Sequence, residues 1–136
     1  MSEFDLFVYG TLRSGEPANA RLSGCEKVAD ASVRGTLYDI DGRFPALLPY
    51  GNDVIAGEVW RCPADLLPEL DRYEGTGSGL FRRIGTAVTT DHGGELACWV
   101  YAAGPALSRR LTPERRLAPR HGDALQRIGD RPQTPP

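Results

Sequence analysis

The sequence predicts an α+β fold: a small mixed β-sheet, barrel-like in its closure, with flanking helices. Three observations lead there. Short apolar or alternating runs bounded by Gly, Pro and Asp recur from residue 4 to residue 102. One segment alone, Pro63 to Glu74, sustains a helical period. The regular strand–helix alternation that marks a doubly wound parallel sheet is missing.

The first strand is the apolar run Phe4-Asp5-Leu6-Phe7-Val8-Tyr9, which stops on Gly10-Thr11-Leu12-Arg13. A strand ending on glycine brings bare backbone N–H groups up to a ligand, because no Cβ stands in the way. Gly10 to Leu12 is therefore a candidate anion or oxyanion site. Gly10 and Gly15 also have the glycine spacing of a phosphate-binding loop, but Glu16 and Pro17 stand where that motif needs Lys and Ser or Thr. A carboxylate there repels phosphate and proline offers neither hydroxyl nor N–H, so nucleotide binding is disfavoured.

Pro17 to Leu22 reads as a short helix closed by Gly24. Ser32 to Ile40 is a strand ending at the Asp41-Gly42 turn, and Phe44 to Pro49, marked by two prolines, fits an edge segment or a loop. Val54 to Arg61 is the next strand. In the helix that follows, Pro63 suits the first position, Asp65 favours the first turn, and Leu66, Leu67, Leu70 and Tyr73 recur at helical spacing. Pro68 should bend it or split it in two, and Gly75 should close it in the left-handed conformation. Leu80 to Thr90 and Leu96 to Ala102 form a hairpin across Asp91-His92-Gly93-Gly94. Beyond Pro105 the pattern decays. We place a domain at residues 1–104 and an Arg- and Pro-rich tail at 105–136, disordered at least from Arg131 to Pro136.

At 136 residues the chain has room for one compact domain. A formal net charge of −2 argues against binding nucleic acid or an anionic membrane by bulk charge. The tail is locally basic, with Arg109, Arg110, Arg115, Arg116, Arg120, Arg127 and Arg131, yet no aromatic residues interleave to stack on bases, so a solvated tail is favoured over an RNA-binding arm. Cys25, Cys62 and Cys98 form no C-x-x-C pair and are odd in number, which points to free thiols in a reducing cytoplasm. Cys98 is expected to pack in its strand as a small hydrophobe. His92 and His121 lack partners at metal-ligand spacing, and His92 reads as a surface turn residue. No apolar run is long enough to span a bilayer. Nothing in the sequence signals an oligomeric state.

Glu74 stands out. It lies four residues after Leu70 and eight after Leu66, on the apolar side of its helix and in the last turn. The helix dipole and burial beside leucines both disfavour a carboxylate there, which raises its pKa towards the range useful for proton transfer at neutral pH. A surface glutamate fraying at a helix end is the plainer alternative.

The order and spacing of Tyr9-Gly10-Thr11-Leu12, Gly35-Thr36-Leu37-Tyr38, Gly57-Glu58-Val59-Trp60, Leu70-Asp71-Arg72-Tyr73-Glu74-Gly75, Leu80-Phe81-Arg82-Arg83 and Trp99-Val100-Tyr101 decide between these. Together they resemble the γ-glutamylcyclotransferase-like family, which includes γ-glutamylamine cyclotransferases and the plant avirulence-induced AIG-type proteins. The resemblance covers residues 4 to 102, and Tyr-Gly-Thr-Leu and Leu-Asp-x-x-Glu-Gly are its most specific parts. It implies a small mixed β-barrel whose open end holds a γ-glutamyl group. The family's substrate-binding loop matches Tyr9, Gly10, Thr11 and Leu12, its catalytic glutamate matches Glu74, and its strand tyrosine matches Tyr101 as a pocket wall. Where relatives commonly carry a tyrosine ahead of x-Arg, this chain has Phe81, which removes a hydroxyl that would hydrogen-bond substrate.

The reaction so implied is intramolecular. The α-amine of a small γ-glutamyl compound attacks its own side-chain amide and releases 5-oxoproline, with Glu74 as general acid and base and no metal or organic cofactor. A rival reading, favoured by Phe81 and by an Arg- and Pro-rich tail that does not match the ordered element relatives often carry after the last strand, is a non-catalytic module of the same fold that binds a glutamyl-like metabolite.

Overall fold

The computed structural model describes residues 2–117. Among them five strands close into a barrel: β1 (Glu3–Val8), β2 (Glu26–Ile40), β3 (Phe44–Pro63), β4 (Phe81–Thr90) and β5 (Glu95–Ala103), in the order β1-β3-β2-β4-β5. All neighbours are antiparallel except β1 and β5, which pair in parallel at Leu6↔Trp99 and Phe7↔Val100. The predicted small mixed barrel is what forms.

β1 is buried on both faces, and that sorts the core. Phe7 and Tyr9 join Val33, Leu37, Leu47, Val59, Val88 and Val100 in one cluster, whereas Leu6, Val8 and Leu12 pack with Leu22, Ile40, Leu70, Phe81 and Leu107 in another. A strand alternates its side chains, so one run of apolar residues serves both clusters. Gly57 of β3 lies against Phe7 and the Val8 carbonyl, too close for a side chain.

β2 begins at Glu26, six residues before the predicted start, and pairs with β3 over almost its whole length. Phe44 to Pro49, read as an edge segment or loop, is an edge portion of β3: it pairs with β2 from Ile40↔Phe44 to Thr36↔Leu48, whereas β1 pairs only with Glu58 to Pro63. Pro45 is tolerated because a strand with one partner has a free side. The register jumps between Gly35↔Asp53 and Thr36↔Leu48, so residues 49–52 leave the ladder, and the Thr36 hydroxyl donates to the Tyr50 carbonyl at 2.7 Å across the excursion.

The predicted helix is split, as Pro68 requires. A 3₁₀ turn (Ala64–Leu66) leads into α1 (Leu67–Tyr73), with Pro68 in the first turn of α1, where its missing N–H has no partner to lose. Gly75 ends the segment at φ 71°, in the left-handed region. A second 3₁₀ turn (Asn19–Leu22) occupies the predicted short helix.

Beyond β5 the chain turns back on the barrel. Helix α2 (Pro105–Ser108) buries Leu107, and Leu117 donates its N–H to Leu37 at 2.8 Å. Arg110 and Arg115 bind Asp41 and Arg116 binds Asp53, so these tail arginines are paired to the barrel rather than simply solvated. The expected disorder from Arg131 to Pro136 lies outside the described residues. The expectation of three free thiols is corrected: Cys25, after the 3₁₀ turn, and Cys62, at the end of β3, are disulfide-bonded, their Cα atoms 4.4 Å apart. Counting cysteines cannot see a pair brought together across 37 residues by the sheet. Cys98 is free and buried, as expected.

Candidate active site

A cleft opens at the end of β1. Its lining brings together all the residues the sequence singled out: Tyr9, Gly10, Thr11, Leu12, Glu74 and Tyr101, with Phe44, Pro45 and Phe81 completing an apolar wall. The Phe44 and Phe81 ring centroids are 5.8 Å apart. Phe81 thus sits at the cleft, and the hydroxyl it lacks is missing from a cleft wall.

Glu74 follows α1 and is capped by its own backbone, its N–H reaching the Leu70 carbonyl at 2.9 Å. The turn forced by Gly75 leaves the side chain on the inner side, only 6% exposed. Burial pushes its pKa up to about 8, and the positive charge of Arg21 restrains the rise. A carboxyl titrating near neutrality is fitted to take up and return a proton. Among the described residues no Lys, Arg or His side chain lines the cleft, and the positive charge acting on Glu74 is that of Arg21.

The loop after β1 presents donors because its acceptors are engaged elsewhere. The Gly10 carbonyl accepts from the N–H and Nε of Arg13, both at 3.1 Å; the Thr11 carbonyl accepts from Ala18 N–H at 3.0 Å; the Leu12 carbonyl accepts from Asn19 Nδ2 at 2.8 Å. The N–H groups of Thr11 and Leu12 donate to no protein acceptor among the described residues. Backbone donors left open at a cleft wall are suited to meeting an anion or oxyanion. Gly10 is needed for close approach: a Cβ there would sit 2.9 Å from Cγ of Pro45.

Two tyrosines brace the cleft. Tyr9 donates its hydroxyl hydrogen to the Tyr101 carbonyl at 2.6 Å and accepts from Leu47 N–H at 3.1 Å, a donor on the free edge of β3. Tyr101 in turn donates to Asp71 Oδ1 at 2.7 Å. Burial, reinforced by nearby carboxylates, raises both phenols well above their usual pKa, so each stays a neutral donor.

Sequence reasoning missed Asp71 and Arg83. Arg83 of β4 holds Asp71 by two hydrogen bonds, Nε to Oδ1 at 2.9 Å and Nη2 to Oδ2 at 3.2 Å, and lies 4.3 Å over the Trp99 ring. Burial alone would raise the Asp71 pKa, but Arg83 and Tyr101 together outweigh it and hold the carboxyl below its usual range. The signal was present in Leu-Asp-x-x-Glu-Gly: an aspartate one turn before Glu74, on the same side of the helix. His92, by contrast, is the surface turn residue expected, and among the described residues no group of His, Cys, Asp or Glu is arranged to hold a metal. His121 lies outside the described residues. No helix among those residues is long and apolar enough to cross a membrane.

Comparison with known proteins bears on the family and the fold. Residues 6–123 match the family model described as γ-glutamyl cyclotransferase, AIG2-like. The γ-L-glutamyl-butirosin B γ-glutamyl cyclotransferase of Niallia circulans is 31% identical over 96% of this chain and 87% of its own length. The γ-glutamylcyclotransferase family protein YtfP of Escherichia coli K12 is 30% identical over 71% of this chain and 79% of its own. Among solved structures, an AIG2-like protein from Mus musculus superposes with a TM-score of 0.69 at 22% identity, covering 85% of this chain and 83% of that one. The Arabidopsis thaliana protein At5g39720.1 gives 0.69 at 19%, covering 94% and 83%. At such identities the structures speak for the fold alone. With the family match spanning most of the sequence and a relative above 30% identity over nearly all of it, the chain belongs to the γ-glutamyl cyclotransferase, AIG2-like family.

Proposed function

We propose that this protein is a γ-glutamyl cyclotransferase that releases 5-oxoproline from a small γ-glutamyl compound, with Glu74 as general acid and base. One observation carries the reading: a buried carboxyl titrating near pH 8 shares a cleft with two backbone N–H groups that have no protein acceptor among the described residues. The Niallia circulans relative, named for a γ-L-glutamyl-butirosin B substrate, supports the substrate class.

The substrate's ammonium group binds beside Glu74 and surrenders a proton to it. The freed nitrogen attacks the carbonyl carbon of the substrate's own side-chain amide, and a five-membered ring closes. Negative charge gathers on the former carbonyl oxygen, where the N–H groups of Thr11 and Leu12 stabilise it; one such donor is typically worth about 3 to 4 kcal/mol of barrier. Glu74 then gives its proton to the leaving nitrogen, the amide C–N bond breaks, and the second proton of the ring nitrogen passes by way of Glu74 to the departing amine, so that 5-oxoproline leaves with an ammonium product. The scheme uses no metal or organic cofactor. Holding the substrate folded on itself, between the Phe44 and Phe81 wall and Tyr101, supplies the proximity.

The test is incubation with a panel of γ-glutamyl amines, amino acids and peptides, 5-oxoproline being measured, with Glu74→Gln as control. Turnover of at least one compound, lost in the variant, is the expected result; equal turnover by the variant removes Glu74 from the scheme. Binding without turnover of any compound favours the second reading, a non-catalytic module for glutamyl-like ligands, for which Phe81 at the cleft is the supporting observation.

A further inference from the structure

Glu58 has no contact with the cleft, yet it meets the segment that follows the cleft loop. Its Cα pairs with Val8, the last rung of the β1–β3 ladder before the chain turns at Gly10. From there its Oε1 accepts three hydrogen bonds: Ser14 N–H at 2.8 Å, Ser14 Oγ at 3.2 Å and Trp60 Nε1 at 3.0 Å. Its Oε2 faces Lys27 Nζ at 3.5 Å. The side chain is 13% exposed, so its carboxylate is largely shielded, and the Trp60 indole two residues along the same strand face fixes its direction.

We propose that Glu58 is a positioning residue for the cyclisation. Its carboxylate tethers Ser14 to the barrel and thereby holds the Thr11 and Leu12 N–H groups at the cleft wall. The inference rests on the reading above, in which those groups stabilise the reacting oxygen. The loop from Gly10 to Asn19 has no regular ladder to hold it. Its inner bonds, Arg13 to the Gly10 carbonyl and Ala18 and Asn19 to the carbonyls of Thr11 and Leu12, set its local shape. They do not set where that shape stands relative to β1 and β3. Burial of Leu12 in the core with Leu6 and Val8 holds the first part of the loop and the Ser14–Glu58 contact, with its acceptor on β3, holds the part that follows; donors displaced by 1 Å can cost about a hundredfold in rate. Acceptor geometry, rather than net charge, is what the tether needs, so a glutamine should retain it.

The experiment uses the full-length chain. Amide hydrogen exchange over residues 10–16 is followed in Glu58→Ala, Glu58→Gln and Lys27→Ala, together with kcat and KM for whichever γ-glutamyl compound the wild type turns over. Glu58→Ala should speed exchange at Ser14 and its neighbours while the β3 amides stay protected, and lower kcat by roughly ten- to a hundredfold with a smaller change in KM. Glu58→Gln should stay within a few-fold of wild type in both readouts, and Lys27→Ala should match wild type. If Glu58→Ala does not fold, Trp60→Phe, which removes the orienting N–H and keeps an aromatic ring against the core, should show the same changes at smaller size. Unchanged loop exchange and kcat in Glu58→Ala, or in Trp60→Phe where that variant takes its place, overturns the proposal; so does a Glu58→Gln variant as impaired as the alanine. If the wild type turns over no compound, the cyclotransferase reading fails by itself, and loop exchange alone decides whether the tether exists.

Discussion

The Tyr9 hydroxyl and the Tyr101 carbonyl lie 2.6 Å apart, joining the first strand of the barrel to the last at the edge of the cleft. The same hydroxyl accepts from Leu47 N–H, so one phenol satisfies polar groups on two other strands. Tyr9→Phe keeps the ring and strands both groups in a buried setting. Its expected cost is about 2 to 4 kcal/mol of stability, read as a lower urea midpoint at unchanged m-value.

Activity should follow the ionisation of Glu74. The base must be deprotonated to accept the ammonium proton, so kcat/KM rises with pH through an apparent pKa near 8 in the free enzyme. Arg21→Ala removes the positive charge that restrains the shift and should move this limb to higher pH. Glu74→Gln should lower kcat/KM by roughly 10²- to 10⁴-fold and erase the limb. A pH–rate profile of the three proteins checks all of this.

Stability should move the opposite way. The Glu74 pKa is raised on folding, from an ordinary 4.5 to about 8, so between those values the unfolded chain has released a proton that the folded one retains. Stability is therefore fullest below the lower value and declines as pH climbs to the upper one, by a total on the order of a few kcal/mol. Glu74→Gln should flatten this decline and be the more stable protein at pH 8. Urea unfolding at pH 5, 6.5 and 8 measures it.

Asp71→Asn should loosen the cleft from behind. It leaves the Arg83 guanidinium without its bidentate partner and weakens the bond that fixes the Tyr101 hydroxyl. Both members of the ion pair are about three-quarters buried, so a loss of about 1 to 3 kcal/mol in stability is expected. Tyr101→Phe spares the ion pair and should lose less. A double-mutant cycle between the two positions should show coupling, since they share one bond.

Gly10→Ala places a methyl group 2.9 Å from Cγ and 3.1 Å from Cδ of Pro45. The donor loop must then shift away from β3, and kcat should fall at least tenfold. Pro45→Ala removes both clashing atoms, so Gly10→Ala combined with Pro45→Ala should recover part of the loss. Steady-state kinetics of the single and double variants decides.

What the sequence conveyed follows from range. Glu74 was legible because its helix is short-range: Leu66, Leu70 and the stop at Gly75 state which side faces inward. The donor loop was legible for the same reason, an apolar strand ending on Gly10. Asp71 with Tyr101, Glu58 with Ser14 and Cys25 with Cys62 were not, because each pair is 30 to 44 residues apart and is made only by the closure of the sheet. The early start of β2 escaped notice because Glu26 and Lys27 are polar and exposed; ladder pairing with β3, rather than burial, makes them strand. The edge placement of Phe44 to Leu48 could be anticipated from Pro45, but not the use of its free N–H at Leu47 by Tyr9.

The parallel seam between β1 and β5 carries a consequence for biosynthesis. A polypeptide emerging from the ribosome amino-terminus first exposes Phe7 and Tyr9 some ninety residues before their partners Val100 and Tyr101. The strand β1 stays unpaired until Glu58 to Pro63 of β3 follow, and the barrel closes only after the final hairpin has left the exit tunnel.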